Sequence, residues 1–366
     1  MIKFHESAQN KNLHKYIDDV LFRNNFSEGK YKELSSEILE SKFGFKNFLL
    51  TNSATSSLEI MGLICKKNNI SLINMPSYTF SSTANGFLRS NIDVNFIDIS
   101  KSDSMIELSN IKNEQHPTLI VHYAGSSFNF EESKVIEKNF TFLEDAAQSL
   151  GVKFKNKQVG TFGRMGCISF HPTKNVHGAF AGLINFKYKQ DMELGQLIID
   201  RGTDRSKVVA GLKNKYEWKF LGSSFEITEL SAAVLLSQLE IYDEIIEKRK
   251  VIHEAYTSFF QNFENLFLTQ NIDKTNIVPN YHSFYIVLKS GSRKKLLEYL
   301  YSKGIQAYIG YIPLHSSSYG KKISTAELPN TDYFGNSLIR LPIHTKMDIK
   351  DAKKVCKTII SFIKNE

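Results

Sequence analysis

Cys65, Cys167 and Cys356 are the only cysteines in 366 residues, and they are odd in number, scattered, and not at metal-ligand spacing. A disulfide framework and a cysteine-based metal site are therefore not expected, and the three read as reduced, buried thiols. No apolar run approaches the roughly 18 residues that a membrane span needs. The opening MIKFHESAQNKN has no apolar core of the kind a signal peptide carries, so the expectation is a cytoplasmic protein with no membrane partner. Internal repeats and low-complexity stretches are missing, and 42% hydrophobic with 23% charged residues excludes disordered and fibrous classes. Acidic excess is missing too: Lys and Arg number 46 against 38 Asp and Glu, a formal charge of +8. The basic residues are spread along the chain among acids, which argues against a nucleic-acid surface and leaves a mild positive field suited to a phosphorylated small substrate.

What is present is alternation. Residues 33–43 carry apolar side chains at helical spacing and Gly44 closes them; a strand at 47–51 follows, then the hydroxyl-rich turn Thr51 to Ser57 and a helix from Leu58 to Cys65. Short β-branched runs recur at 71–74, 94–97, 119–121 and 140–143, with helical stretches between them. That pattern predicts an α/β fold with a mostly parallel sheet covered on both faces, and ligands at the carboxyl ends of its strands. Residues 201–221 are basic, lack periodicity and contain Trp218, which predicts a long ordered loop. A helical pattern from Thr228 to about Phe260, bent after Glu240, carries the chain into a second unit of strand (284–288), helix (293–303), strand (306–309) and final helix (348–363). The expected division is 1–245 for a large domain and 246–366 for a small α+β domain.

Asp145 ends the run 141–143, and Lys174 follows a second buried run, 167–170, and the turn-forming Pro172. An acid and an amine at the ends of two strands can hold the two ends of a planar cofactor. This is what pyridoxal phosphate needs: a lysine to bind its aldehyde and a carboxylate for its pyridine nitrogen. The turn at 51–57 offers free backbone N–H groups at a helix start, which suits either a phosphate or simple N-capping.

The segments TNSATSSLE (51–59), PSYTFSSTAN (76–85), VHYAG (121–125), EDAAQS (144–149), VGTFG (159–163), SFHPTKN (169–175), GSSFEITELSAAVLLSQLE (222–240) and YIPLH (311–315) resemble, in order and over nearly the whole chain, the DegT/DnrJ/EryC1/StrS sugar aminotransferases. The stretch 198–225 looks most like the branch that makes dTDP-4-amino-4,6-dideoxygalactose. The resemblance implies a fold-type I, pyridoxal phosphate-dependent enzyme. Carried over residue by residue, it makes Lys174 the cofactor-binding lysine and proton shuttle, and Asp145 the partner of the pyridine nitrogen. Gln148 would bond the phenolic oxygen, Phe80 would stack on the ring, and Thr55, Ser56 and Ser169 would cradle the phosphate. Ser224 would reach the phosphate from a second subunit, implying a homodimer with shared sites. His315 and Tyr311 match a segment lining the sugar nucleotide pocket, and Lys213, Lys215 and Arg205 are candidate diphosphate partners. One departure stands beside Lys174: where relatives carry a glycine-rich turn with a glutamate, residues 176–182 read VHGAFAG, with no carboxylate and with His177 and Phe180 introduced.

The implied reaction takes an amino group from glutamate, through the pyridoxamine form of the cofactor, to dTDP-4-keto-6-deoxyglucose, for a surface polysaccharide or glycan. The rivals are transamination at C3, a pyridoxamine phosphate-dependent sugar dehydratase, and a non-catalytic nucleotide-sugar sensor. Dehydratases of this kind carry histidine in place of Lys174, and a degenerate sensor would lose Lys174 or Asp145.

Overall fold

A computed structural model describes residues 1–27, 29–111, 115–131 and 141–365. The chain enters through α1 (Leu13–Arg23) and α2 (Lys30–Phe43), the latter closed by Gly44 in the left-handed region at φ +77°. Then come β1 (Phe48–Thr51), α3 (Ala54–Lys67), β2 (Leu72–Pro76), α4 (Ser81–Leu88), β3 (Asp93–Ile97), β4 (Thr118–Val121) and β5 (Phe142–Asp145). Phe140, where the sequence pattern would begin the last of these strands, lies outside the described residues. A small hairpin, β6 (Lys153–Phe154) and β7 (Lys157–Gln158), precedes β8 (Met165–Ser169) and β9 (Gly182–Phe186).

Seven of these strands form one sheet in the order β1-β9-β8-β5-β4-β2-β3. Six run parallel, as expected. β9 is the exception, antiparallel to both β1 and β8, with Ser169 opposite Gly182. The chain between β8 and β9 is therefore a hairpin loop, and Lys174 sits in it. Strands β4, β5, β8 and β9 are buried along their whole length, the mark of a sheet covered on both faces.

Beyond β9 lie α5 (Lys189–Ile199), α6 (Arg205–Val209), α7 (Glu229–Glu240) and α8 (Tyr242–Phe260). The segment read as loop thus contains one short helix, and the expected bend after Glu240 is a break at Ile241. Tyr242 and Ile245, in the first turn of α8, pack into the core of the large sheet, while Ile252, Tyr256 and Phe260 pack into a second core. That second core is built on β10 (Phe267–Thr269), β12 (Phe284–Leu288), β13 (Tyr308–Ile309) and β14 (Leu338–Leu341), in the order β10-β12-β14-β13. β11 (Ile277–Val278) instead joins the β6–β7 hairpin. Helices α9 (Arg293–Ser302), α10 (Gly320–Ile323), α11 (Pro329–Ser337) and α12 (Ile349–Asn365) complete the unit. The first residues of the chain also join it: Ile2 bridges Ile305, and Ile343 N donates to Phe4 O at 3.4 Å. That pairing brings Phe4 and His5 to the mouth of the cavity described next.

Candidate active site

A cavity of about 430 Å³ opens at the carboxyl ends of β1, β2, β4, β5 and β8. Each strand delivers a side chain because the chain must turn there. After β1, Ser53 caps α3, its Oγ accepting from Ser56 N at 3.1 Å. The first turn of α3 has no acid and its last turn carries Lys66 and Lys67, so its positive end, with Ser53, Ala54 and Thr55, faces the cavity ready for an anion. Thr55 Oγ1 lies 2.9 Å from Ser82 Oγ. Gly182 permits this approach: a Cβ there would stand 2.4 Å from Ser53 C.

Asp145, at the end of β5, is 5% exposed. Its Oδ2 accepts from Thr83 Oγ1 at 2.7 Å, and its Oδ1 accepts from Ala147 N at 3.1 Å. Thr83 is braced by Thr79, with 2.8 Å between their hydroxyl oxygens. A carboxylate taken out of water and bonded this way is held in one orientation and keeps acceptor capacity toward the cavity. Gln148 is fixed at both ends: Oε1 accepts from Ala124 N at 2.7 Å and Nε2 donates to Tyr311 OH at 2.7 Å. Phe80, the residue before α4, holds its ring 59% exposed in the cavity wall, with the Tyr311 ring centroid 6.3 Å away.

Lys174 is half-buried, and its backbone N donates to His171 O at 2.9 Å. Burial brings its amine from 10.5 down to about 8; the Asp145 charge opposes that shift and Arg340 adds to it. A substantial neutral fraction therefore exists near pH 7, which is what a nucleophilic amine and proton carrier requires. Burial likewise holds His282 well below its usual range, with the charges of Lys174 and Arg249 reinforcing it. His282 Nδ1 lies 3.1 Å from Asn175 Oδ1, beside the lysine.

Seven of the residues singled out in the sequence line this one cavity: Thr55, Phe80, Asp145, Gln148, Ser169, Lys174 and Tyr311. The others lie elsewhere. Ser56 is buried behind the turn, its Oγ donating to Asn52 Oδ1 at 2.6 Å, so only its backbone N–H belongs to the helix start. His315 is 5% exposed with Nδ1 2.8 Å from Ser77 Oγ; it braces the end of β2 and is not in the cavity wall. Lys213 is tied to Asp204 at 2.6 Å, and Arg205 and Lys215 are exposed on the 205–221 segment. Ser224 is exposed, its Oγ accepting from Arg201 Nη2 at 3.0 Å while its carbonyl accepts from Asn52 Nδ2 at 3.1 Å.

The lining also includes residues that sequence reasoning passed over: Thr79, Thr83, His282, Arg249, Arg340, Phe4 and His5. Thr79 and Thr83 stand one helical turn apart, a spacing that was visible. The rest arrive from distant segments and carried no local signal. Phe180, from the divergent turn, does line the cavity, its ring set edge-on to His171 at 5.2 Å.

A flat pyridine ring with a phosphate at one corner and an aldehyde beside a phenolic oxygen fits this donor set. The α3 start would hold the phosphate, Asp145 the ring nitrogen, Phe80 one ring face, Gln148 the phenolic oxygen and Lys174 the aldehyde carbon. Comparison with known proteins shows the family. The model of the DegT/DnrJ/EryC1/StrS aminotransferase family matches residues 7–360. A UDP-4-amino-4,6-dideoxy-N-acetyl-beta-L-altrosamine transaminase of Helicobacter pylori is 27% identical over 371 residues, covering 98% of this chain and 96% of its own. Among solved structures, Helicobacter pylori PseC, an aminotransferase involved in the biosynthesis of pseudoaminic acid, superimposes with a TM-score of 0.89 at 24% identity and full coverage of both chains. The PLP form of the putative sugar aminotransferase Spr1654 of Streptococcus pneumoniae gives 0.87 at 19% identity, covering 98% of each chain. The chain belongs to the DegT/DnrJ/EryC1/StrS aminotransferase family, a fold-type I enzyme with pyridoxal phosphate as its cofactor.

Proposed function

We propose that this enzyme transfers an amino group from glutamate to the C4 keto carbon of a nucleotide-linked 6-deoxy sugar. The observation that carries the reading is a half-buried Lys174 amine with lowered basicity, sharing one cavity with a braced, buried Asp145 and an exposed Phe80 ring. Bound pyridoxal phosphate supplies an electron sink for the carbon that loses its proton. Lys174 would take that proton and return it at the carbon on the other side of the transferred nitrogen, and an amine lowered to about 8, with both protonation forms populated near pH 7, suits both directions. Asp145 would keep the ring nitrogen protonated, and its bonds from Thr83 Oγ1 and Ala147 N hold the carboxylate in one orientation. The presence of Lys174 also favours transamination over the dehydratase reading, in which histidine stands at that place.

The sugar nucleotide is read as dTDP-4-keto-6-deoxyglucose from the 198–225 stretch. A UDP-linked substrate is the second reading, favoured by the name of the Helicobacter pylori relative. A homodimer is supported by the 205–221 segment, where Val209, Leu212, Tyr216, Trp218 and Leu221 are each more than half exposed. Large apolar side chains left exposed suit a protein partner surface, and Ser224 follows this segment by three residues. Incubating the holoenzyme with glutamate and dTDP- or UDP-linked 3-keto and 4-keto 6-deoxy sugars, with products identified by NMR, tests the reaction. Transfer to none of them would refute it. For the shared site, mixing Lys174→Ala with a Ser224→Asp variant should restore activity in hybrid dimers; no restoration refutes sharing.

A further inference from the structure

Residues 2–10 form a strap that crosses from one core to the other. Its first part is anchored beside the second sheet. Ile2 N donates to Gly304 O at 2.7 Å, Gln306 N donates to Ile2 O at 3.0 Å, and Phe4 N donates to Gln306 Oε1 at 3.0 Å. The Phe4 ring is also set edge-on to Tyr308, with 4.9 Å between centroids. Its last part is anchored on α7, next to the large sheet. There Gln238 Nε2 donates to Ala8 O at 3.1 Å, and the buried Asn10 donates through Nδ2 to Ser237 O at 2.6 Å. A chain held at both ends leaves little freedom to the residues between, which are His5, Glu6 and Ser7.

Two of the three reach one atom, the carbonyl oxygen of Pro172. His5 Nε2 lies 2.8 Å from it, and Ser7 Oγ donates to it at a weaker 3.4 Å. Burial, and after it the Arg249 charge, bring His5 from 6.5 down to about 4, so its ring is neutral at pH 7. A carbonyl only accepts, and the one ring proton therefore sits on Nε2. Within the turn, Lys174 N donates to His171 O at 2.9 Å and Thr173 N donates to His171 Nδ1 at 3.3 Å. The Pro172–Thr173 peptide is thus held by its N–H from inside the turn and by its oxygen from the strap. Rotating that peptide would swing the backbone from which Lys174 projects.

On the far side of the lysine the next residue is tied as well. Asn175 Nδ2 donates to Asn280 O at 2.7 Å, in the segment that leads into β12. The loop after β8 thus supplies the lysine, while groups from outside that loop fix the chain just before and just after it. Among the described residues, His5 and Ser7 are the donors to Pro172 O, and the His5 bond is much the shorter. We infer that His5 is a positioning residue for Lys174, and that by donating to Pro172 O it fixes the turn so that the amine enters the cavity in one orientation. A reacting group misplaced by about 1 Å can cost about a hundredfold in rate. His5 also lines the cavity, so the test has to tell positioning from contact with substrate.

This inference rests on the reading of Lys174 as the cofactor-binding lysine, and the test separates the two. Full-length apoprotein of the wild type, His5→Gln, His5→Asn and His5→Leu is mixed with pyridoxal phosphate, and the growth of the borohydride-sensitive visible band is timed. The holoenzymes are then assayed for kcat and KM with glutamate and the sugar nucleotide. A glutamine amide can place its nitrogen where Nε2 stands, an asparagine amide only where Nδ1 stands, and leucine has no donor. His5→Leu and His5→Asn should therefore slow capture and lower kcat about tenfold, with both KM values within about threefold of the wild type. His5→Gln should keep about half the wild-type capture rate or more. Equal capture rates in His5→Gln and His5→Asn overturn the assignment. A loss confined to the KM for the sugar nucleotide also overturns it, since His5 would then be a substrate contact. Should His5→Leu not fold, the comparison of His5→Gln with His5→Asn still decides. Capture by Lys174→Ala at the wild-type rate refutes the lysine reading itself, whatever the His5 variants do.

Discussion

The lowered basicity of Lys174 can be tested through the pH dependence of cofactor capture. Only the neutral amine attacks an aldehyde. With the amine at about 8 in place of 10.5, roughly 9% is neutral at pH 7 where an ordinary lysine has roughly 0.03%, a gain of about 300-fold. Apoprotein mixed with excess pyridoxal phosphate should therefore develop its borohydride-sensitive visible band at a rate that rises tenfold per pH unit up to about 8 and then levels off. A free lysine analogue in the same buffers should keep rising past pH 10, which removes the cofactor's own titration from the comparison. The neighbours set the sign of further changes. The Asp145 charge favours the ammonium form, so Asp145→Asn should move the break to lower pH; Arg340 disfavours it, so Arg340→Gln should move the break up. A rate that climbs through pH 9 in the wild type, or an absent band with Lys174→Ala behaving identically, would refute the reasoning.

Thr83→Val removes the 2.7 Å bond to the buried Asp145 carboxylate and should cost about 1.5–3 kcal/mol, read from the urea midpoint, with weaker cofactor retention alongside. Glu144 is fully buried and accepts from the backbone N–H groups of Gly160, Phe162 and Gly163 at 2.6–2.7 Å and faces His122 Nε2 at 3.0 Å. Glu144→Leu leaves three donors unmatched and should destabilise the fold by at least about 3 kcal/mol, visible in the thermal midpoint. Gly182→Ala puts a methyl group 2.4–2.5 Å from the backbone of Ser53 and Ala54. The start of α3 must then shift, and the Kd for pyridoxal phosphate should rise at least tenfold in a fluorescence titration while the thermal midpoint falls only modestly.

Much of this molecule was legible along the chain. Parallel strands came through because a strand buried on both faces is rich in apolar residues, as the runs 119–121 in β4, 142–143 in β5 and 167–168 in β8 are. The break at Ile241, the closure at Gly44 and the final helix α12 (Ile349–Asn365) announced themselves by helical spacing and a glycine at positive φ. Lys174 and Asp145 stood out because each follows a buried run that marks a strand end, and Gln148 and Phe80 because their segments resemble the family.

Other features had no such mark. β14 is a four-residue run interrupted by Arg340 and entered directly from α11, too short for a period to declare itself. The antiparallel course of β9 depends on which neighbours it pairs with, and no local residue states that. His315 looked like a pocket residue from its segment, yet its ring turns inward to Ser77, because a side chain's direction is set by packing. The sequence alone determined the class of fold and pointed to the acid and the amine, since each is marked by residue type and the buried run before it, while the aromatic ring came from the resemblance. Only the tertiary structure decided that Phe4, Arg249, His282 and Arg340, drawn from four distant segments, share a wall with Lys174, because that neighbourhood follows from the docking of one core against another.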